Sequence, residues 1–434
     1  MSSFSISEVQ QTVDSLLTSR ERLLVHRSVD SIVTSIDNVI LRFLDSSSVV
    51  WQEAAARLPE ETGLSPAMIH HILPLIFQEY RAEKLTTLLE DELGDRRSLN
   101  TFVSLHGKKR RAYGPGLTTH ILAGNIPGAG LDGVIFSLLV KSSVLAKASS
   151  SSAFLPTLFA RTLTEVDPEL GTCLAIVTWP GGSSRLEEVT FTRAELVVAS
   201  GGNESLNAIQ QRVQSRFIGY GHKVSFSIID KDSLSNAQQL ARSAAYDVAL
   251  FDQQGCLSPQ LLYVEAGGRV SPRAFAALLA EGLAYWQTRL PRGRVPTEAS
   301  MAIRRIRDEA EWQALAGKET TLHASANSTE WTVIYDADPA FLPSPLYRTI
   351  RVKPLASFDQ LKTLLAPWRA YLEAVGVAFT SIPCPFIAEL LSQAGVSRIC
   401  PIGAMQTPPL SWRHGGRPRI ADLVRWAELE HSSQ

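Results

Sequence analysis

Cysteine is scarce. Four thiols occur in 434 residues, and no two sit at short spacing. That fits neither a disulfide framework nor a zinc site, and it suits a reducing compartment. Net charge is nearly absent, with 42 Lys plus Arg against 43 Asp plus Glu. A nucleic-acid binder would be expected to carry a basic face, so nucleic acid is set aside as the main partner. Long apolar runs are missing too. The longest, "GVIFSLLV", ends at Lys141 and is too short to span a bilayer. The opening "MSSFSISEVQQTVDSLL" is polar and has no apolar signal core. Internal repeats and low-complexity tracts are also lacking. The expectation is a soluble, cytoplasmic protein. Its 45% hydrophobic content is that of a globular chain, and its length allows two or three domains.

Residues 1 to 99 read as helical. "SVDSIVTSIDNVILRFLD" places apolar residues at helical spacing, and Pro and Gly are sparse until "PEETGLSPAM". His70 and His71 are neighbours in this layer and do not share a helix face, which argues against a metal pair. From about residue 100, short aliphatic runs alternate with helical segments. The runs are "THILA", "SVLAK", "CLAIVT", "ELVVAS" and "VSFSIID", separated by stretches such as "LDGVIFSLLVK" and "ESLNAIQQRV". Strand alternating with helix implies a parallel sheet covered on both faces. A second α/β region follows, with "DVALFD" and "LLYVEA" as strands, a long helix over "SPRAFAALLAEGLAYWQTRL", and a later strand "WTVIYD". The tail from Pro401 reads as loop and then helix.

Several segments carry residue types suited to chemistry. "DQQGCLSPQ" puts Cys256 in a tight loop between two expected strands. A thiol there is either a small buried hydrophobe or a nucleophile. In "LAGNIPGAGLDG", Asn125 follows a strand. Its amide either donates to an oxyanion or turns the chain. In "SVLAKASSSS", Lys147 ends a strand, and Ser149 and Ser150 are expected to open the next helix. They are suited to a ribose or phosphate, or to a plain helix cap. Gly201 and Gly202 form a strand-to-helix turn compatible with phosphate, although they do not make the Gly-x-Gly-x-x-Gly fingerprint. His120 and His222 lie close in sequence to these segments, each as a proton carrier or as a structural imidazole.

Taken in order, these segments resemble the aldehyde dehydrogenase superfamily. "AGNIPG", "EVDPEL", "YGHKVSF", "DVALFDQQGCLSP" and "GAMQTPPLSWRHGGRP" resemble, more closely, the LuxC-like acyl-CoA reductases, over roughly residues 100 to 430. The resemblance implies an α/β aldehyde dehydrogenase-like fold with a helical N-terminal layer (1–99), a Rossmann-like nicotinamide-binding domain (100–225), a catalytic domain (226–400) and a tail (401–434). It implies that Cys256 is the nucleophile and Asn125 the oxyanion donor. Lys147, Ser149 and Ser150 then hold the adenosine ribose, and Gly201 and Gly202 lie near the cofactor phosphates. "TFVSLHGKKRRAYGPG" and part of the tail are the candidate oligomerisation element of a homo-oligomer. Cys173, Cys384 and Cys400 lie outside any matching motif.

Departures from the wider superfamily refine the expected activity. Aldehyde-oxidising relatives keep a water-activating glutamate in the segment resembling "FIGYGHK", where this chain has Gly219. They hold the nicotinamide ribose with a glutamate near "LPSPLYRTI", where this chain has none. In the ribose segment many NAD-using relatives carry Lys-Pro-Ser-Glu, and here it reads Lys-Ala-Ser-Ser. The resemblance therefore implies reduction of fatty acyl-CoA to the aldehyde through an S-acyl cysteine, with NADPH preferred over NADH. The alternatives are an acyl group delivered by a carrier or acyl-transferring partner protein, and a non-catalytic protein of the same fold.

Overall fold

The computed structural model describes residues 4–122, 124, 126–149, 151–380 and 384–430. It divides into two compact units. One contains Met1–Thr62, Leu73–His222 and Pro409–Gln434, and the other Gly63–Ile72 and Lys223–Pro408.

The chain opens with five helices, α1 (Ile6–Ser19), α2 (Val29–Leu44), α3 (Val49–Thr62), α4 (Pro66–Phe77) and α5 (Ala82–Leu93). Their ends are set locally. Ser5 and Glu8 form a reciprocal capping box on α1, and Ser28 caps α2 by accepting from the Ser31 amide. The hairpin strands β1 (Val103–Leu105) and β2 (Lys108–Tyr113) follow. Then come β3 (Leu117–Ile121), α6 (Leu131–Leu139), β4 (Ser143–Ala148), α7 (Phe154–Val166), α8 (Pro168–Gly171), β5 (Leu174–Thr178), α9 (Ser184–Arg193), β6 (Leu196–Ser200), α10 (Asn203–Gln210) and β7 (Arg216–Tyr220). Five of these strands form a parallel sheet in the order β5-β4-β3-β6-β7. Chain order reverses about β3, so the switch point lies at the carboxyl ends of β3 and β6, where open α/β sheets bind ligands. Val9, Val13 and Leu16 of α1 cover one face, against Leu117, Leu145 and Val177.

The second unit runs β8 (Val224–Ile229), α11 (Ala237–Ala249), β9 (Pro259–Glu265), α12 (Pro272–Arg289), α13 (Thr297–Leu315), β10 (Thr320–Ala324), β11 (Thr332–Asp336), β12 (Thr349–Leu355), α14 (Gln360–Leu365), β13 (Leu372–Ala378), α15 (Cys384–Gln393) and β14 (Arg398–Pro401). The sheet order is β10-β11-β12-β9-β8-β13-β14, with only the β10–β11 pair antiparallel. Every residue of β8 and β9 is buried, as expected of parallel strands covered on both faces. Alanines of α11 and the Phe275, Leu279 and Leu283 side chains of α12 pack one face, and Leu361, Leu365, Ile387 and Leu391 pack the other.

Three expectations are corrected. "DVALFD" is not a strand: Asp247–Ala249 end α11, and a tight turn follows over Leu250–Gln253. Ser149 does not open the next helix, which begins at Phe154. The tail does not end in a helix. Arg425–Leu429 forms β15, paired antiparallel with β2 from Arg425↔Tyr113 to Leu429↔Lys109. The resulting sheet β1-β2-β15 is laced by ion pairs from Lys108 and Arg110 to Glu428. The units also cut across the expected segment bounds. Gly63–Ile72 joins the second unit, where the Arg294 amide donates to the Gly63 carbonyl (2.7 Å) and His71 Nε2 meets the Tyr246 hydroxyl (2.7 Å). The tail itself divides after Pro408. Among the described residues no helix is long and apolar enough to cross a membrane.

Candidate active site

The mount of Cys256 is built from residues with unusual backbone. Phe251, Asp252 and Gln253 have φ of 52°, 50° and 65°, and Leu346, Tyr347 and Arg348 have φ of 68°, 51° and 62°. Left-handed backbone costs an ordinary L-residue about 1–2 kcal/mol. Two consecutive triplets of this kind persist only where other interactions hold them. Here each triplet holds the other. Arg348 pairs with Asp252 at 2.7 Å, and both side chains are essentially without solvent contact. Arg348 also donates to Gln287 Oε1 (2.8 Å) and the Leu290 carbonyl (2.7 Å), while the Gly293 amide donates to Asp252 Oδ2 (2.9 Å). The Gln253 side chain donates to the carbonyls of Pro259 and Thr349 and accepts from the Thr349 amide. Burial pushes the Asp252 carboxyl up, and Arg348 pulls it back.

The loop is braced from a second side. Asp247, fully buried at the end of α11, accepts from the amides of Gly403 (2.6 Å) and Met405 (3.0 Å). Burial pushes its carboxyl up to about 7. Gln406 then donates to Ser258 Oγ (2.6 Å). A Cβ at residue 255 would lie 3.2 Å from Gln406 Oε1, so glycine there lets this amide close over the cysteine loop. Ser225 Oγ on β8 donates to the Cys256 carbonyl (2.7 Å). Cys256 is partly exposed and in no disulfide, whereas Cys173 and Cys400 are buried with thiols pushed up to about 11 by burial. The side chain of Cys384 lies outside the described residues. Cys256 thus lies in a loop braced on both flanks and remains partly exposed.

In the first unit, the carboxyl edge of the five-stranded sheet carries the candidate cofactor residues. Lys147 is the penultimate residue of β4, half-buried. Burial lowers its ammonium pKa, and Glu187 partly offsets this. Among the described residues its Nζ has no hydrogen-bond acceptor. Ser149 Oγ contacts Ser151 Oγ at 2.8 Å. Gly201 and Gly202 follow β6, and a Cβ at either would meet nothing within 4 Å. Neither has positive φ, so no strain or packing within the chain requires glycine at either position. The backbone at both positions is open to a ligand, as at the phosphate-binding turns of such sheets. A cation without an acceptor and an open glycine cradle on one sheet edge fit a phosphate-bearing dinucleotide. Asn125 and Ser150 lie outside the described residues. Among the described residues no group of three His, Cys, Asp or Glu side chains could hold a metal ion.

The two histidines separate. His222 is exposed after β7. The His120 ring is 2% exposed inside β3 and bonded to Ser137 Oγ at 2.9 Å, and burial lowers its pKa to about 4, which favours the structural imidazole of the two readings. The "EVDPEL" motif is likewise structural, because Asp167 caps α8 and accepts from Arg27, Ser35 and the Leu170 amide. The tail motif splits by role. Residues 401–408 brace the cysteine loop. Farther on, His414 stacks on Tyr220 at 4.5 Å, and Arg419 pairs with Asp132 at the start of α6. Sequence reading missed Asp247, Asp252, Gln253, Arg348 and Gln406. The one available signal was the joint occurrence of "DVALFDQQGC" and "GAMQ", now explained by direct bonds between them.

The fold is aldehyde dehydrogenase-like. The chain matches the LuxC acyl-CoA reductase family over residues 24–426, and it belongs to that family. It is similar to the long-chain acyl-protein thioester reductase of Photorhabdus laumondii, 25% identical over 80% of this chain and 71% of that protein. The reductase of the same name from Vibrio harveyi is 24% identical over 64% of this chain and 57% of its own length. Among solved structures, the aldehyde dehydrogenase KauB of Pseudomonas aeruginosa superposes with a TM-score of 0.76 at 14% identity, covering 99% of this chain and 90% of that one. Aldehyde dehydrogenase C of Pseudomonas syringae, solved with NAD+ and octanal, gives 0.72 at 13% identity, covering the same shares.

Proposed function

We propose that the protein reduces a long-chain acyl group, presented as a thioester on a donor protein, to the aldehyde through an S-acyl intermediate on Cys256. The observation that carries this reading is the partly exposed Cys256 on a loop fixed by two buried clamps. The thiolate attacks the thioester carbonyl, a new C–S bond forms at Cys256, and the donor's thiol leaves with a proton. Asn125 is assigned to the oxyanion formed in that step; one such donor is typically worth about 3 kcal/mol. Lys147, Ser149, Gly201 and Gly202 are assigned to the nicotinamide cofactor. The reduced cofactor, when bound, would supply a hydride to the acyl carbon; the C–S bond to Cys256 then breaks, the aldehyde leaves and the Cys256 thiolate is restored. Gly219 leaves β7 without a carboxylate to activate water, which favours reduction of the acyl enzyme over its hydrolysis. A donor protein is preferred to acyl-CoA because the relatives are named for acyl-protein thioesters. Acyl-CoA is the second reading, from the family's description.

Incubation with a long-chain acyl donor and no cofactor should raise the intact mass by one acyl group. Cys256→Ala should abolish both the adduct and aldehyde formation. A variant that still forms aldehyde at a comparable rate would overturn the assignment. Single turnovers comparing acyl-CoA with acyl-protein decide the donor, and faster acylation by acyl-CoA would replace the protein donor.

A further inference from the structure

The sheet β1-β2-β15 balances its charge on one face and not on the other. Residues directly opposite in an antiparallel ladder, and those two apart on a strand, share a face. Lys108 and Arg110 share one with Glu428, and both pair with it. The opposite face carries Lys109, Arg111, Tyr113 and Arg425 and, among the described residues, no acid. Arg111 and Arg425 lie over the Tyr113 ring, their guanidinium carbons 4.7 and 5.0 Å from its centre. Among the described residues neither has a carboxylate partner. The Arg111 Nε is shut off from solvent and has no hydrogen-bond partner.

More positive charge lies beneath this face. Gly114 follows β2, and a Cβ there would lie 2.0 Å from the Val140 carbonyl oxygen, so the two backbones touch. That contact sets Lys141 against the end of β2. Lys141 is 6% exposed, and its φ of 63° after α6 is the usual conformation of a glycine or asparagine at a helix end. Its ammonium donates to the Val25 carbonyl at 3.3 Å. Arg20 donates to the carbonyls of Lys141 (2.9 Å) and Gly114 (3.4 Å). Burial, then Arg111 and Arg20, push the Lys141 ammonium down to about 8. Of the acids on neighbouring elements, Glu21 pairs with Arg20 and Glu195 sits against Gly116, and neither is among the groups acting on Lys141. A buried donor without a partner, beside a buried cation crowded by other cations, is costly unless an anion answers it.

We propose that Arg111, Lys141 and Arg20, flanked by Arg425, form a binding site for a small doubly charged oxyanion of the sulfate or phosphate class. Arg111 supplies guanidinium donors that no group of the chain accepts, and charge-assisted bonds to an oxyanion are the strong ones such donors make. Lys141 supplies the ammonium donors that Val25 leaves over, and Arg425 closes the site from β15. The anion joins the turn between α6 and β4 to the β1-β2-β15 sheet, and so fastens that sheet to the rest of its unit. This site is distinct from the candidate cofactor turn. Lys141 lies before the amino end of β4 and Lys147 near its carboxyl end, with roughly 13 Å of strand between them.

Thermal melting of the full chain in sodium sulfate, against sodium chloride of matched ionic strength, tests this. Sulfate also stabilises proteins generally by exclusion from their surface, but that effect does not saturate and survives mutation. The wild type should show a saturable rise in melting temperature on top of it. Arg111→Met and Lys141→Met should each move the half-saturation point at least about tenfold higher, the loss expected of one bond to a charged group. Melting in chloride alone shows that each variant folds, and Arg111→Met, at a half-buried position, carries the test if Lys141→Met does not fold. A wild type without the saturable rise, or an Arg111→Met curve that superposes on it, overturns the proposal. Loss of the rise in Lys147→Met, with Arg111→Met unaffected, would place the anion at the cofactor turn and would also overturn it. So would a change in sedimentation of Arg111→Glu combined with no effect of sulfate, which would assign the counter-charge to a carboxylate of a second copy.

Discussion

Replacing Arg348 by methionine tests the mount of the nucleophile. Arg348 has no solvent contact, and its partner Asp252 is 1% exposed. Methionine keeps much of the apolar volume and removes the ion pair, the bond to Gln287 and the bond to the Leu290 carbonyl. Breaking a buried pair by deleting one member typically costs about 3–5 kcal/mol. Asp252 limits the loss by taking up a proton, since burial already pushes its carboxyl up and Arg348, the first of the groups opposing that, is removed, leaving the Gly293 amide and Arg292. For a unit of this size each kcal/mol moves the melting temperature by roughly 2–4 °C, so a fall of roughly 10 °C is expected. The second effect is on the thiol. With the clamp open, the left-handed triplet Phe251–Gln253 relaxes and Cys256 loses its fixed position. Calorimetry reads the first effect, and the rate of Cys256 alkylation by iodoacetamide reads the second. The double variant Asp252→Leu/Arg348→Met separates them. It should recover much of the stability, because no unpaired charge is left, and yet retain the altered alkylation rate. Unchanged melting and unchanged alkylation in Arg348→Met would refute the clamp.

Gly202→Val should fold normally, because the added Cβ meets open space and φ of −67° suits valine. Its affinity for nicotinamide cofactor should fall at least about tenfold if the backbone there lies against the phosphates, as fluorescence titration would show; unchanged affinity removes Gly202 from the site. The ratio of kcat/KM for NADPH to that for NADH should favour NADPH and fall in Ser150→Glu, because a carboxylate repels the 2′-phosphate; a wild type faster with NADH would refute the preference. Asp247 gives a pH signature. Its folded pKa of about 7 exceeds the unfolded carboxylate value of about 3.9, so its contribution is full below about pH 4 and is lost as pH rises through about 7. Urea titrations across that range should show stability falling with pH, and a flatter profile in Asp247→Asn; parallel profiles would show that Asp247 does not titrate there.

The two parallel sheets were legible because their strands are short, aliphatic and separated by helical stretches. "THI", "SVLAK", "LAIVT", "LVVAS" and "VSFSII" all fall on strands. Legibility failed where tertiary pairing outweighs local pattern. "VRWAEL" has no strand signal of its own and becomes one by pairing with β2, which lies more than 300 residues earlier. "DVALF" looks like a strand because it is apolar and short, but Asp247 and Val248 are the buried end of a helix held by the tail.

The candidate site follows the same division. The chemistry of a thiol, an amide and a glycine pair belongs to residue type and can be read from the chain. The mount cannot be read in this way. Left-handed backbone is announced in sequence by glycine, asparagine or aspartate, and Asp252 is the one such residue in Phe251–Gln253 and Leu346–Arg348. These triplets adopt it because an arginine and a glutamine amide reach partners 96 residues away in the chain. Each left-handed turn is unfavourable by itself and is bonded directly to the other. A local reading of either one therefore returns an ordinary loop. It follows that residues far from the sulfur in sequence, Arg348 above all, should govern the reactivity of Cys256 while having no part in the bonds that change.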